Sequence, residues 1–140
     1  ENLKLLKKKI PNIFSFVKIK NCAVGDRNTT LNLNYSHGLA NAFISKNKKD
    51  MSVKCRKLID IVNEEKLKYI TNLKIDIEGY EDKVLIAFLR NCKKKLVPKN
   101  IILEHSEKNV WKNDLFQFLF KFGYKEIYKN KSNMILTFKK

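Results

Sequence analysis

A chain of 140 residues that is 44% apolar is long enough to bury one core and too apolar to be intrinsically disordered. No apolar run approaches the roughly 18 residues a membrane helix needs, and the opening ENLKLLKKKI lacks the apolar stretch and small-residue cleavage site of a secretory signal. The net charge of +16 is mostly lysine, with Arg27, Arg56 and Arg90 the only arginines among 30 basic residues; a base-reading nucleic-acid surface uses arginine forks and stacking aromatics, so the charge argues weakly for such a partner.

Residues 2–9 have helical spacing of Leu3 and Leu6, and Pro11 stops the run. Residues 16–24 alternate, with Val17 and Ile19 against Lys18 and Lys20, which predicts a half-exposed strand closed by the turn at Gly25-Asp26. Two weaker strands follow at 30–35 and 52–58, separated by a polar loop at 45–51. A short helix is expected near 59–68. The stretch NLKIDIE (72–78) reads as a strand entering a helix near 80–95, where Val84, Leu85, Phe88, Leu89, Cys92 and Leu96 repeat at helical spacing and Glu81 and Asp82 meet the positive end of the dipole. NIILEH (100–105) has the continuous apolar character of a central parallel strand. A helix at 112–122 is expected to be capped by Asn113 or Asp114 and ended by Gly123. YKEIYKN and SNMILTFK predict a closing hairpin around Asn130-Lys131-Ser132. Strands alternating with helices argue for an α/β sheet with mostly parallel strands.

Ligands of such sheets bind at the carboxyl ends of the strands. Two strands here end in polar groups: Asp76 and Glu78 on one, Glu104 and His105 on the other. Neighbouring strands lie about 4.8 Å apart, so a parallel pairing would gather these groups. Crowded carboxylates raise one another's pKa, which suits one of them to act as a general base toward a hydroxyl. The same oxygens suit a hard divalent cation, and His105 oriented by Glu104 is another candidate base. The bland alternatives are that Glu78 caps the following helix and that Asp76 is paired with a lysine. His37 lacks a partner for catalysis, Trp111 reads as packing, and Asp26 reads as a turn residue that could also touch a ligand over the sheet edge. Cys22, Cys55 and Cys92 are odd in number and show no C-x-x-C spacing, which fits a reduced, cytoplasmic setting without zinc or disulfides.

LKIDIEGYEDKVL (73–85) resembles the K-I-D-V-E-G-x-E-x-x-V-L signature of the FkbM family of S-adenosylmethionine-dependent methyltransferases. NCAVGDRNTTLNL (21–33), VKCRKLIDIV (53–62, with Asp60) and NIILEH agree with that family in order and spacing. The resemblance implies a Rossmann-like class I methyltransferase sheet, mostly parallel with a C-terminal antiparallel hairpin and strand order 3-2-1-4-5-7-6. Residues 17–24 would be its third strand, 72–78 the fourth, 100–105 the fifth and the hairpin the last two. The first two strands, with their glycine-rich turn and ribose-binding acid, have no counterpart, since Gly25, Gly38, Gly79 and Gly123 form no G-x-G.

On that resemblance, residues 1–140 are a single partial methyltransferase domain, with the glycine-rich cofactor motif expected upstream of residue 1. Either the native protein is longer, or the missing strands leave 17–24 detached from the main sheet. The implied activity is methyl transfer from S-adenosylmethionine to a hydroxyl of a sugar or related small molecule or glycan. Asp76, Glu78, Glu104 and His105 would do the chemistry, Asp26 would contact the cofactor, and no residue is assigned to a metal. A basic nucleic-acid-binding module and an inactive partial domain are the competing readings.

Overall fold

The computed structural model describes residues 5, 8–12, 16–34, 43–45 and 51–139. Most of the helix expected at 2–9, Tyr35, His37 and most of the loop expected at 45–51 lie outside them. Among the described residues no helix is long and apolar enough to cross a membrane.

Among the described residues the strands form two four-stranded sheets. The first contains β1 (Ala23–Gly25), β2 (Thr29–Asn34), β3 (Phe43–Ser45) and β4 (Met51–Lys57) in the order β1-β4-β2-β3. Here β1 runs parallel to β4, and the β2 pairings are antiparallel. Gly25 is required by a close approach: a Cβ there would stand 2.4 Å from the Cys55 Sγ. Helix α1 (Leu58–Glu64) follows β4 directly and buries Val62.

The second sheet holds β5 (Asn72–Ile75), β6 (Asn100–Glu104), β7 (Tyr124–Lys129) and β8 (Asn133–Phe138) in the order β5-β6-β8-β7. Only β5 and β6 are parallel; β6 with β8 and β8 with β7 are antiparallel. Helix α2 (Glu81–Asn91) buries Val84, Leu85, Phe88 and Leu89, and α3 (Leu115–Phe122) buries Leu115 and Leu119. These side chains meet Ile101, Leu103, Met134 and Leu136, all at most 1% exposed, in one core. The alternation along β6 and β8 thus turns every second residue inward. Asp114 caps α3 by accepting the Gln117 N–H at 2.9 Å, and Gly123 ends it at φ 115°. In the hairpin the Asn130 carboxamide oxygen accepts the N–H groups of Ser132 and Asn133, a side-chain-closed turn.

Several expectations need correction. The sheets are mixed, not mostly parallel, and β5 is an edge strand while β6 is interior. Residues 17–20 form no strand despite their alternation. Lys18 and Lys20 instead pair with Glu64 and Glu65 at the end of α1, and Val17 and Ile19 stay exposed. The remaining piece, β1, pairs with β4 and not with β5, so it is detached from the second sheet as expected. Helix α2 stops at Asn91, and Lys94–Leu96 make a separate 3-10 turn. β3 falls outside every strand the sequence predicts.

Candidate functional site

The register of β5 and β6 builds the site. Ile75 lies opposite Leu103, so the two strands end level, with Asp76 following one and Glu104 closing the other. Asn72 and Asn100 lock that register at the opposite end through a 2.9 Å side-chain hydrogen bond.

After Ile75 the chain makes a tight turn into α2. Glu78 takes φ 53° and Gly79 φ 89°, both in the left-handed region that ordinary residues avoid. Gly79 is needed twice over, because a Cβ would also stand 2.3 Å from the Val110 Cγ2. The Oε1 of Glu81 accepts the N–H groups of Ile77 at 2.9 Å and Gly79 at 3.3 Å, which leaves Glu78 between two anchored amides. The Glu78 carboxyl is held above its usual pKa, first by partial burial and then by the charges of Asp76, Glu104, Glu107 and Glu81. The acids of the two strand ends therefore share one electrostatic field, in a chain whose overall charge is strongly positive.

The other expected residues have defined partners. Asp76 pairs with Lys74 at 2.7 Å, the lysine contact weighed against a chemical role. Glu104 accepts the Ser106 N–H at 2.8 Å and so is turned toward its own loop. His105 is only 4% exposed, with its ring edge-on to Phe116 at 5.8 Å, and its Nε2 has no hydrogen-bond partner among the described residues. It follows Glu104 directly and packs against Phe116 of α3. Among the described residues no three His, Cys, Asp or Glu side chains are grouped to hold a metal ion.

Asp26 comes to the turn from the other sheet. Its carboxylate accepts from the Tyr80 hydroxyl at 3.3 Å and from Arg27 at 3.4 Å. Partial burial pushes Asp26 up, but the hydrogen bond and charge of Arg27, with smaller help from the backbone and Tyr80, outweigh it and hold the carboxyl below its ordinary value. Between β5 and the first sheet lies a groove of about 290 Å³ lined by Val24, Leu58, Leu73, Lys74, Ile75, Asp76, Ile77 and Val84.

Two residues that matter carry only a helix-dipole signature in the sequence. Glu81 and Asp82 are both fully buried. Glu81 also accepts the Trp111 indole N–H at 2.9 Å. The Oδ2 of Asp82 accepts the backbone N–H groups of Lys112 and Asn113 and the Asn113 side-chain amide, at 3.1, 3.0 and 2.8 Å. No local signal marks these bonds, because their partners lie about thirty residues downstream.

The family model described as the methyltransferase FkbM domain matches residues 8–126. The chain belongs to the FkbM methyltransferase family. No curated protein and no solved structure matches it. The matched span of this FkbM domain contains the acidic turn, Asp26 and both strand tips. The sequence has no G-x-G turn of the kind that approaches S-adenosylmethionine. At Gly25 and Gly79 the space beside the backbone is taken by Cys55 and Val110, so neither glycine leaves the close approach a cofactor needs.

Proposed function

We propose that this FkbM domain transfers a methyl group from S-adenosylmethionine to a hydroxyl oxygen of a sugar-like small molecule or glycan. Methyl transfer to oxygen needs the hydroxyl aligned and its proton removed. Glu78 is the proton acceptor in this reading, because partial burial and then its acidic neighbours raise its pKa and make it a better base than an ordinary carboxylate. Asp76 and Glu104 flank it and orient the acceptor by accepting hydrogen bonds from its other hydroxyls. His105 is buried against Phe116 and is given no role in this reading. The observation that carries the proposal is the level ending of parallel β5 and β6.

In this reading Asp26, tied to the turn by the Tyr80 hydroxyl, contacts the cofactor. The test uses the product of the whole gene. Binding of S-adenosylmethionine is measured by calorimetry, and methyl transfer to a panel of sugars and glycans by mass spectrometry. Glu78→Gln should retain cofactor binding and lose turnover. Absence of cofactor binding in the whole gene product would sink the proposal.

A further inference from the structure

Glu81 belongs to the turn yet never reaches the exposed strand tips. One oxygen takes the Ile77 and Gly79 amides, and the other takes the indole N–H of Trp111. Trp111 is itself fixed, edge-on to Phe116 with ring centroids 5.3 Å apart. Its neighbour Val110 abuts Gly79. The segment at 110–111 thus grips the turn twice, by a methyl group against Gly79 and by a hydrogen bond through Glu81. A wholly buried carboxylate is costly unless its oxygens are satisfied, and here three N–H donors satisfy it. Nothing in the local sequence holds Glu78 in a left-handed conformation; the anchored amides on either side do.

We infer that Glu81, steadied by Trp111, is the positioning residue of the site: a buried carboxylate that holds the turn in the one shape that presents Glu78 between Asp76 and Glu104. The purpose of this clamp rests on Glu78 being the proton acceptor proposed above, but its existence can be tested without cofactor or acceptor.

The decisive variant is Trp111→Phe, which removes the indole donor and changes no charge. The Glu78 carboxyl is followed by carbon-detected NMR through a pH titration, in the native chain and the variant. The groups that set its field are Asp76, Glu104, Glu107 and Glu81, and all four remain. In the variant the turn loosens, Glu78 leaves its neighbours, and its midpoint shifts down toward the ordinary carboxylate range. The Gly79 amide loses about tenfold of its protection from exchange, as expected for one weakened buried hydrogen bond. A merely structural tryptophan would leave the Glu78 midpoint and the Ile77 and Gly79 amide shifts at native values, and that result overturns the inference.

Should the variant fail to fold, the native chain still decides the matter. Trp111 is its single tryptophan, so its indole N–H gives one assignable signal. That proton should exchange slowly and together with the Gly79 amide; exchange at the rate of a free indole refutes the clamp. A slow indole combined with undiminished methyl transfer by Glu78→Gln would leave the clamp standing and defeat the assignment of the base.

Discussion

The Tyr80 hydroxyl donates to Asp26 at 3.3 Å, joining residues 54 positions apart and tying the tip of β1 to the turn that carries Glu78. Among the described residues it is a direct polar link between the two sheets near the site. Tyr80→Phe keeps the ring and removes the donor. Because the bond is long, the loss should be modest, about 1 kcal/mol in urea unfolding. The Asp26 carboxyl should titrate higher in the variant, since one of the groups that favours its charged form is gone. Chemical shifts of Val24 and Gly25 should move while those of the hairpin stay fixed.

Glu78 predicts a pH dependence of definite sign. Its folded-state pKa is raised, so the folded chain holds that proton more tightly than the unfolded chain. The stabilisation this confers is complete below the usual glutamate range and is lost as pH rises through the folded-state value. At neutral pH an ionised Glu78 therefore works against the fold. Glu78→Gln should show a higher urea midpoint than the native chain at pH 7 and no such advantage near pH 3.5. A variant equally stabilised at both pH values would place the effect in packing instead.

Gly79 carries two separable constraints. Alanine at φ 89° is strained, and its methyl meets Val110. Gly79→Ala should cost about 2–4 kcal/mol, combining the left-handed penalty with overpacking. Adding Val110→Ala should recover the overpacking share and leave the backbone share of about 1 kcal/mol. Thermal unfolding of the native, single and double variants separates the two.

Much of this molecule can be read from local pattern. The strand, turn and helix from 72 to 91, the hairpin with its Asn130 turn, the Asp114 cap and the Gly123 stop all follow from periodicity and backbone chemistry, which act over a few residues. The alternation at 16–22 misleads because a strand needs a neighbour, and there the lysines find Glu64 and Glu65 instead. His105 misleads in a related way: at a strand end it looks like a polar tip, but Phe116 returns from α3 to cover it. The acids at 76, 78 and 104 are visible as residues, while their common field depends on the parallel register of β5 and β6, which no single segment encodes. The bond from Trp111 to Glu81 is hidden for the same reason.

Asp82 offers the sharpest test of how the turn is joined to the third helix. It is fully buried, and its Oδ2 takes three N–H donors from residues 112–113 while Oδ1 has no partner among the described residues. Asp82→Ala leaves two backbone N–H groups and one side-chain amide without their acceptor; an orphaned donor that water does not reach costs about 1–3 kcal/mol, and less here because Lys112 and Asn113 are themselves exposed. Water entering the cavity offsets part of this, so a loss of about 3 kcal/mol is expected. Asp82→Asn retains an oxygen for the same donors and can place its amide nitrogen where Oδ1 stands. It forfeits only the extra strength of charge-assisted bonds and should cost about 1–2 kcal/mol. The segment at 110–111 hangs from the same anchor, so the alanine variant should also broaden the Trp111 indole signal and lower the Glu78 midpoint, while the asparagine variant preserves both. Equal losses in the two variants would mean that the charge of Asp82, and not the geometry of its acceptor oxygen, holds this segment in place.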